Sequence, residues 1–105
     1  MIISTDFDGV LLDHPDIPSS GKKWWKNKPI KGAAEAIWLL VREGHEVYVC
    51  TAREEEDWGV IDAWLDAHGF PFMEITNKKK RYTDVYVDDR AIRFTSWQDI
   101  YKYFT

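Results

Sequence analysis

Three short apolar runs in this chain stop abruptly at oxygen-bearing side chains. Ile2-Ile3-Ser4-Thr5 ends at Asp6, Val47-Tyr48-Val49-Cys50 at Thr51, and Val85-Tyr86-Val87 at Asp88 and Asp89. Runs of this length, bounded by polar residues, suit buried strands. Between them lie segments with apolar residues at helical spacing: Ala33, Ala36, Ile37, Leu40 and Val41 in one, and Ile61, Trp64, Leu65 and His68 in another. Strands that alternate with helices build a parallel α/β sheet with right-handed crossovers. Ligands of such sheets bind just outside the carboxyl ends of the strands, which is where the terminating acids and hydroxyl would stand.

The remaining elements follow from local chemistry. The first strand is expected over residues 2–6, with Asp8 in a loop that Gly9 allows to bend sharply. Residues 13–29 are polar and include two prolines, a glycine and two serines between 13 and 21, a composition that disfavours regular structure and reads as a loop over the site. A helix follows Pro29 and Gly32, runs to about residue 43 and stops at Gly44. A strand over 46–50 leads to a helix over 54–68, whose first turn carries Glu54, Glu55, Glu56 and Asp57 against the positive end of the helix dipole. Short strands are expected at 72–75 and 84–87. Ser96 with Asp99 resembles a capping box for a last helix, along which Trp97, Ile100, Tyr101 and Phe104 form an apolar stripe.

At 105 residues the chain suits a single domain, 1–105. A composition of 45% hydrophobic and 30% charged residues is that of a soluble globular protein, and no apolar run approaches the roughly 20 residues needed to cross a bilayer. The opening Met1-Ile2-Ile3-Ser4 lacks the features of a secretory signal. Cys50 is the only cysteine, so no intrachain disulfide forms and a cytoplasmic location is expected. A net charge of −4 argues against coating nucleic acid by charge alone.

Asp6 and Asp8 taken alone are compatible with ordinary turn chemistry. The second acidic pair, Asp88 and Asp89, changes the balance, because four acids at two strand ends want a cation. Mg²⁺ binds through one or two carboxylates, keeps several waters and bridges to phosphate. Thr51 and the basic cluster Lys78-Lys79-Lys80-Arg81 add the hydroxyl and positive charge that phosphoryl oxygens require.

The order Asp-x-Asp, Thr, Lys, Asp-Asp resembles the four signature motifs of the haloacid dehalogenase (HAD) superfamily. The wording DFDGV at 6–10, TAR at 51–53 and VYVDDR at 85–90 looks like its small, capless phosphatase-like members. A response-regulator receiver domain combines similar groups, but its acidic pair comes first rather than last. The resemblance implies a three-layer Rossmann-like domain with a short parallel sheet in strand order 3-2-1-4 and no cap domain. It implies an Mg²⁺-dependent phosphomonoester hydrolase in which Asp6 is the nucleophile that forms an aspartyl phosphate and Asp8 the general acid. Thr51 would bind a phosphoryl oxygen, and Lys80 would be the phosphate-binding cation. Asp6, Asp88 and the backbone carbonyl of Asp8 would hold the metal, with Asp89 acting through water. Arg81 stands where the family has a proline, which leaves Lys79 and Arg81 as competitors of Lys80. An uncapped site favours a phosphorylated macromolecule, such as a nucleic-acid end or a phosphoprotein, and no membrane partner is expected.

Other residues admit two readings. Arg53 and Arg90 flank the site and suit either anionic substrate or a structural ion pair. His14 is read as a surface bystander and Cys50 as a buried thiol. The segment Lys22-Lys23-Trp24-Trp25-Lys26-Asn27-Lys28 has the composition of a stacking surface for bases, although packing of its tryptophans on the domain is favoured. Trp38, Trp58, Trp64 and Trp97 are read as packing residues. The alternative to an enzyme is a non-catalytic phosphate- or nucleic-acid-binding module that retains the HAD metal site.

Overall fold

The computed structural model describes residues 1–13 and 23–105. The expectations for His14, Lys22 and the rest of 14–22 therefore lie outside the described residues. The elements are β1 (Ile2–Thr5), a 3-10 turn (Trp24–Lys26), α1 (Ala33–Arg42), β2 (Glu46–Cys50), α2 (Glu55–Ala67), β3 (Ile75–Thr76), β4 (Val85–Val87) and α3 (Trp97–Tyr103). The four strands form one sheet in the order β3-β2-β1-β4, and every pairing is parallel. The fold is α/β and Rossmann-like, with the expected strand order.

Alternation along the strands sets the two faces of the sheet. Ile3, Val47 and Val49 are buried on one face, where Ile37 of α1 and Ile61, Trp64 and Leu65 of α2 join them. Both crossovers step from β1 toward β3, and right-handed connections in one direction place both helices on that face. Phe7 is completely buried and edge-on to Trp24 at 5.5 Å and Trp64 at 5.3 Å. A fully buried ring of this size stabilises the fold by about 1.5–3 kcal/mol, so the residue between the first two acids anchors the loop that carries them.

After Asp13 the chain leaves the described residues, and it is tied down on its return. Asp13 N–H donates to Lys28 O at 2.8 Å and Ile30 N–H to Leu11 O at 2.8 Å. Trp64 Nε1 donates to the Asn27 carbonyl at 3.1 Å. Trp24 is buried, as the packing reading expected, whereas Trp25 is 46% exposed.

Three expectations need correction. The third strand is Ile75–Thr76, not 72–75: Phe70, Pro71 and Met73 drop into the interior as the chain leaves α2, and Phe72 is 86% exposed. Ladder pairing begins only where this segment meets the end of β2, opposite Val49 and Cys50. Among the tryptophans, Trp64 is buried and Trp58 is partly buried with Nε1 donating to Arg53 O, but Trp38 is half-exposed and Trp97 is 73% exposed. The last helix is capped as expected, with Ser96 Oγ accepting from Asp99 N–H at 3.1 Å, yet α3 buries no residue. A periodic stripe says which side of a helix seeks burial and not what is there to bury it. Among the described residues no helix is long and apolar enough to cross a membrane.

Candidate metal centre

The parallel pairing of β1 with β4 brings the two acidic motifs together. Thr5 lies opposite Val87, and Asp6 N–H extends the ladder by donating to Val87 O at 2.9 Å. The next residues on each side are Asp6 and Asp88-Asp89. One carboxylate oxygen from each of Asp6, Asp88 and Asp89 lies within 4.8 Å of the others. Asp6 Oδ1 accepts from Phe7 N–H at 2.8 Å and Asp88 Oδ1 from Arg90 N–H at 2.6 Å, so both carboxylates are oriented by the backbone that follows. Gly9 has φ +81°, and a methyl group there would overlap Asp89 Oδ2. The glycine thus does more than bend the chain: its bare Cα gives Asp89 room beside Asp6.

Burial pushes the Asp6 carboxyl above its ordinary value; the Phe7 N–H works against this, while Asp88, Asp89 and Asp8 add to the rise. Three converging carboxylates of which one resists ionisation fit a hard, oxygen-ligated divalent cation such as Mg²⁺. The linkage has a definite sign. Because the native pKa is raised, the folded protein binds the proton more tightly than the unfolded chain, and stability falls as pH rises from 3.8 through the native value. In chelator, Asp6→Asn should therefore gain in melting temperature over wild type as pH climbs through that window, and saturating Mg²⁺ should cancel or reverse the gain. A difference between the two proteins that does not change with pH would refute the linkage.

Asp8 is not part of the three-carboxylate cluster. Arg53 grips it with two parallel bonds, Nε to Oδ2 at 3.0 Å and NH2 to Oδ1 at 2.8 Å. The guanidinium also lies over the Trp24 ring at 4.3 Å and within 3.9 Å of Asp57 on the first turn of α2. Of the two readings open for Arg53, the structure shows the ion pair. Its partner is the acid next to the proposed nucleophile, a pairing that no local pattern signals because the two residues are 45 apart in sequence. Trp24, in the segment expected to form a loop over the site, stands behind the arginine.

Thr51 is buried at the end of β2, where its N–H donates to Thr76 O. Its hydroxyl accepts from Arg53 N–H at 3.1 Å, leaving the hydroxyl proton for another acceptor. It does not cap α2; that position belongs to Glu54, which makes no side-chain cap. Cys50 is half-buried rather than buried, and burial with the nearby Asp6 charge pushes its thiol up while Lys79 pulls it down.

Lys80 does not point at the acids. Its Nζ pairs with Glu74 and lies over the Tyr48 ring at 4.9 Å, and the hydrogen bond to Glu74 holds its ammonium above the ordinary lysine value. Its N–H donates to the Tyr48 hydroxyl, which also bonds Thr83 Oγ1 at 2.6 Å. Lys79 Nζ sits over Tyr86 of β4 at 4.9 Å, and Arg81 lies against Tyr82 at 5.4 Å. Of the three competitors, Lys79 is the one whose charge acts on Cys50, beside Thr51.

No protein-family model matches the chain, and no curated protein matches it. Among solved structures, a conserved protein from Bacteroides thetaiotaomicron is similar to it at 28% identity with a TM-score of 0.64, the match covering 99% of this chain and 88% of that one. The chain thus shares its α/β architecture with a natural protein over nearly its whole length.

Proposed function

We propose that the protein is an Mg²⁺-dependent phosphomonoester hydrolase acting through an aspartyl phosphate on Asp6. The observation that carries this reading is the convergence of Asp6, Asp88 and Asp89 at the carboxyl ends of neighbouring strands, with the Thr51 hydroxyl at the end of the next one. The likeness of the motifs to the HAD superfamily supports it. Mg²⁺ would be held by Asp6, Asp88 and Asp89 and, when bound, would offset the charge repulsion between a carboxylate and a phosphate.

The chain's own residues supply the rest. Asp6 attacks phosphorus in line, the Asp6–phosphorus bond forms and the bond to the leaving oxygen breaks. Asp8 gives that oxygen a proton and later takes one from the water that hydrolyses the acyl phosphate, returning Asp6 as a carboxylate. Because both Asp8 oxygens accept from Arg53 in the free protein, this role requires the pair to part or turn as substrate enters. Thr51 donates to a phosphoryl oxygen. Lys80 would have to leave Glu74 to reach a phosphate, which favours Lys79 for that contact, its Nζ lying over Tyr86 of the strand that leads to Asp88. The half-exposed Trp25 and its neighbouring lysines suit a phosphorylated macromolecule better than a small metabolite. A single cysteine fits a reducing, cytoplasmic setting.

The bidentate capture of Asp8 favours a second reading, a phosphate-binding module that no longer turns over. Hydrolysis of a generic aryl phosphate separates the two. The enzyme should show turnover with Mg²⁺, none in chelator and little with Ca²⁺, whose larger and more flexible shell would misplace Asp6. Phosphate-dependent binding without any turnover would establish the module instead, and turnover undiminished by chelator would overturn the metal site.

A further inference from the structure

Arg53 touches two of the groups that the proposed hydrolysis sets on a substrate. Its Nε and NH2 form two parallel bonds to the Asp8 carboxylate, at 3.0 and 2.8 Å, and its backbone N–H donates to Thr51 Oγ1 at 3.1 Å. The main chain is held on its other side as well, where Arg53 O accepts from Trp58 Nε1 at 3.0 Å.

The guanidinium is steadied on the sides that Asp8 does not use. Its face lies on the Trp24 ring, 4.3 Å from the centroid, and NH1 stands 3.9 Å from Asp57 Oδ2. Trp24 is 4% exposed and edge-on to the buried Phe7, so this support belongs to the core. What can change partner is the Nε–NH2 edge. Such an edge suits a carboxylate and a phosphate alike, since each offers two oxygens to two parallel N–H groups. The phosphate is the stronger claimant, because a phosphomonoester carries about −1.5 to −2 at neutral pH against the single charge of a carboxylate.

We infer that the Nε–NH2 edge of Arg53 is a phosphate receptor that Asp8 occupies until substrate arrives, and that the phosphate displaces Asp8 from it. The inference rests on the proposed phosphate site and names what parts the Arg53–Asp8 pair. Exchange sets the dianion on the cation and turns the Asp8 oxygens from Arg53 toward the leaving oxygen. The Trp24 stack and the Asp57 contact are kept throughout.

Calorimetric titration of inorganic phosphate into the full chain at saturating Mg²⁺ reads this exchange without any turnover. Asp8→Asn leaves a weaker, uncharged competitor on the edge, so phosphate should bind at least about ten-fold more tightly than to wild type, the worth of one charge-assisted hydrogen bond. Arg53→Gln should weaken phosphate by about the same factor. Arg53→Lys keeps the charge without the fork and should recover only part of that loss. In the double variant the gain from Asp8→Asn should shrink to under about three-fold, because the competitor has nothing left to compete for. Comparing Asp8→Asn with the double variant keeps the test where Arg53→Gln alone unfolds, since neither leaves Asp8 charged and unpaired: the double variant should return to wild-type affinity or weaker. Asp8→Asn that binds no tighter than wild type, or a double variant that keeps the gain, would overturn the exchange, as would absence of phosphate binding throughout. Turnover of an aryl phosphate by wild type beside a failed cycle would leave the hydrolase standing and remove the exchange; the expected cycle in a chain without turnover would do the reverse.

Discussion

Asp6→Asn is expected to abolish both turnover and phosphoenzyme, whereas Asp8→Asn should separate substrates by their leaving groups. The first change removes the attacking oxygen, and the neighbouring carboxylates of Asp88 and Asp89, within 4.8 Å, would be held by the cation and do not replace it. The second leaves the nucleophile in place but removes the proton donor. It should slow an alkyl phosphate by about 10²–10⁴-fold and an aryl phosphate with a good leaving group far less in the first step, since little protonation is needed there. Hydrolysis of the acyl phosphate still lacks a base, so acid-quenched Asp8→Asn should carry one phosphate on Asp6 by mass spectrometry. The structure adds a second consequence. Asp8→Asn also leaves one acceptor oxygen where Arg53, a side chain only 13% exposed, now donates to two, and a hydrogen bond to a charged group is worth about 1.5–3 kcal/mol. A purely structural Asp8 would therefore depress every substrate equally, along with the melting temperature. Equal loss on alkyl and aryl phosphates, or phosphate on any residue other than Asp6, would refute the assignment.

Gly9→Ala should damage metal binding and stability together. The position has φ +81°, which costs a residue with a Cβ about 1–2 kcal/mol, and the added methyl would occupy the place of Asp89 Oδ2. Asp89 must then swing away from Asp6 and Asp88. Loss of one supporting carboxylate should weaken Mg²⁺ by about 10–100-fold, the usual effect of removing a group that orients or supports a metal's ligands. Asp89→Ala is the control: it removes the same carboxylate without touching the backbone, so its affinity loss should match while its stability loss is smaller. Calorimetric titration of Mg²⁺ and thermal melts read the two effects separately. Wild-type affinity in Gly9→Ala would show that Asp89 takes no part in the site.

Much of this was legible in the order of residues. The strand limits at 46–50, the stop at Gly44 and the Ser96 cap follow from apolar period and backbone chemistry, both local to a few residues. So does the placing of Asp6 and Asp88 at strand ends, and with the parallel order of the sheet their meeting follows too. Which charges pair was not legible. Asp8 could face the metal or Arg53, and Lys80 could face a phosphate or Glu74; these choices differ by little energy in sequence terms and are settled by which side chains the folded backbone brings within reach. The same holds for residues 72–75, which read as a strand from the sequence: Met73 turns into the interior, Phe72 is exposed, and ladder pairing begins only at Ile75. The stripe on α3 is the clearest case. Periodicity determined that the segment is a helix and which side of it is apolar, because both are set within two turns of chain; only the tertiary structure decided that its own domain leaves that side exposed, because burial depends on a second surface that no local pattern encodes.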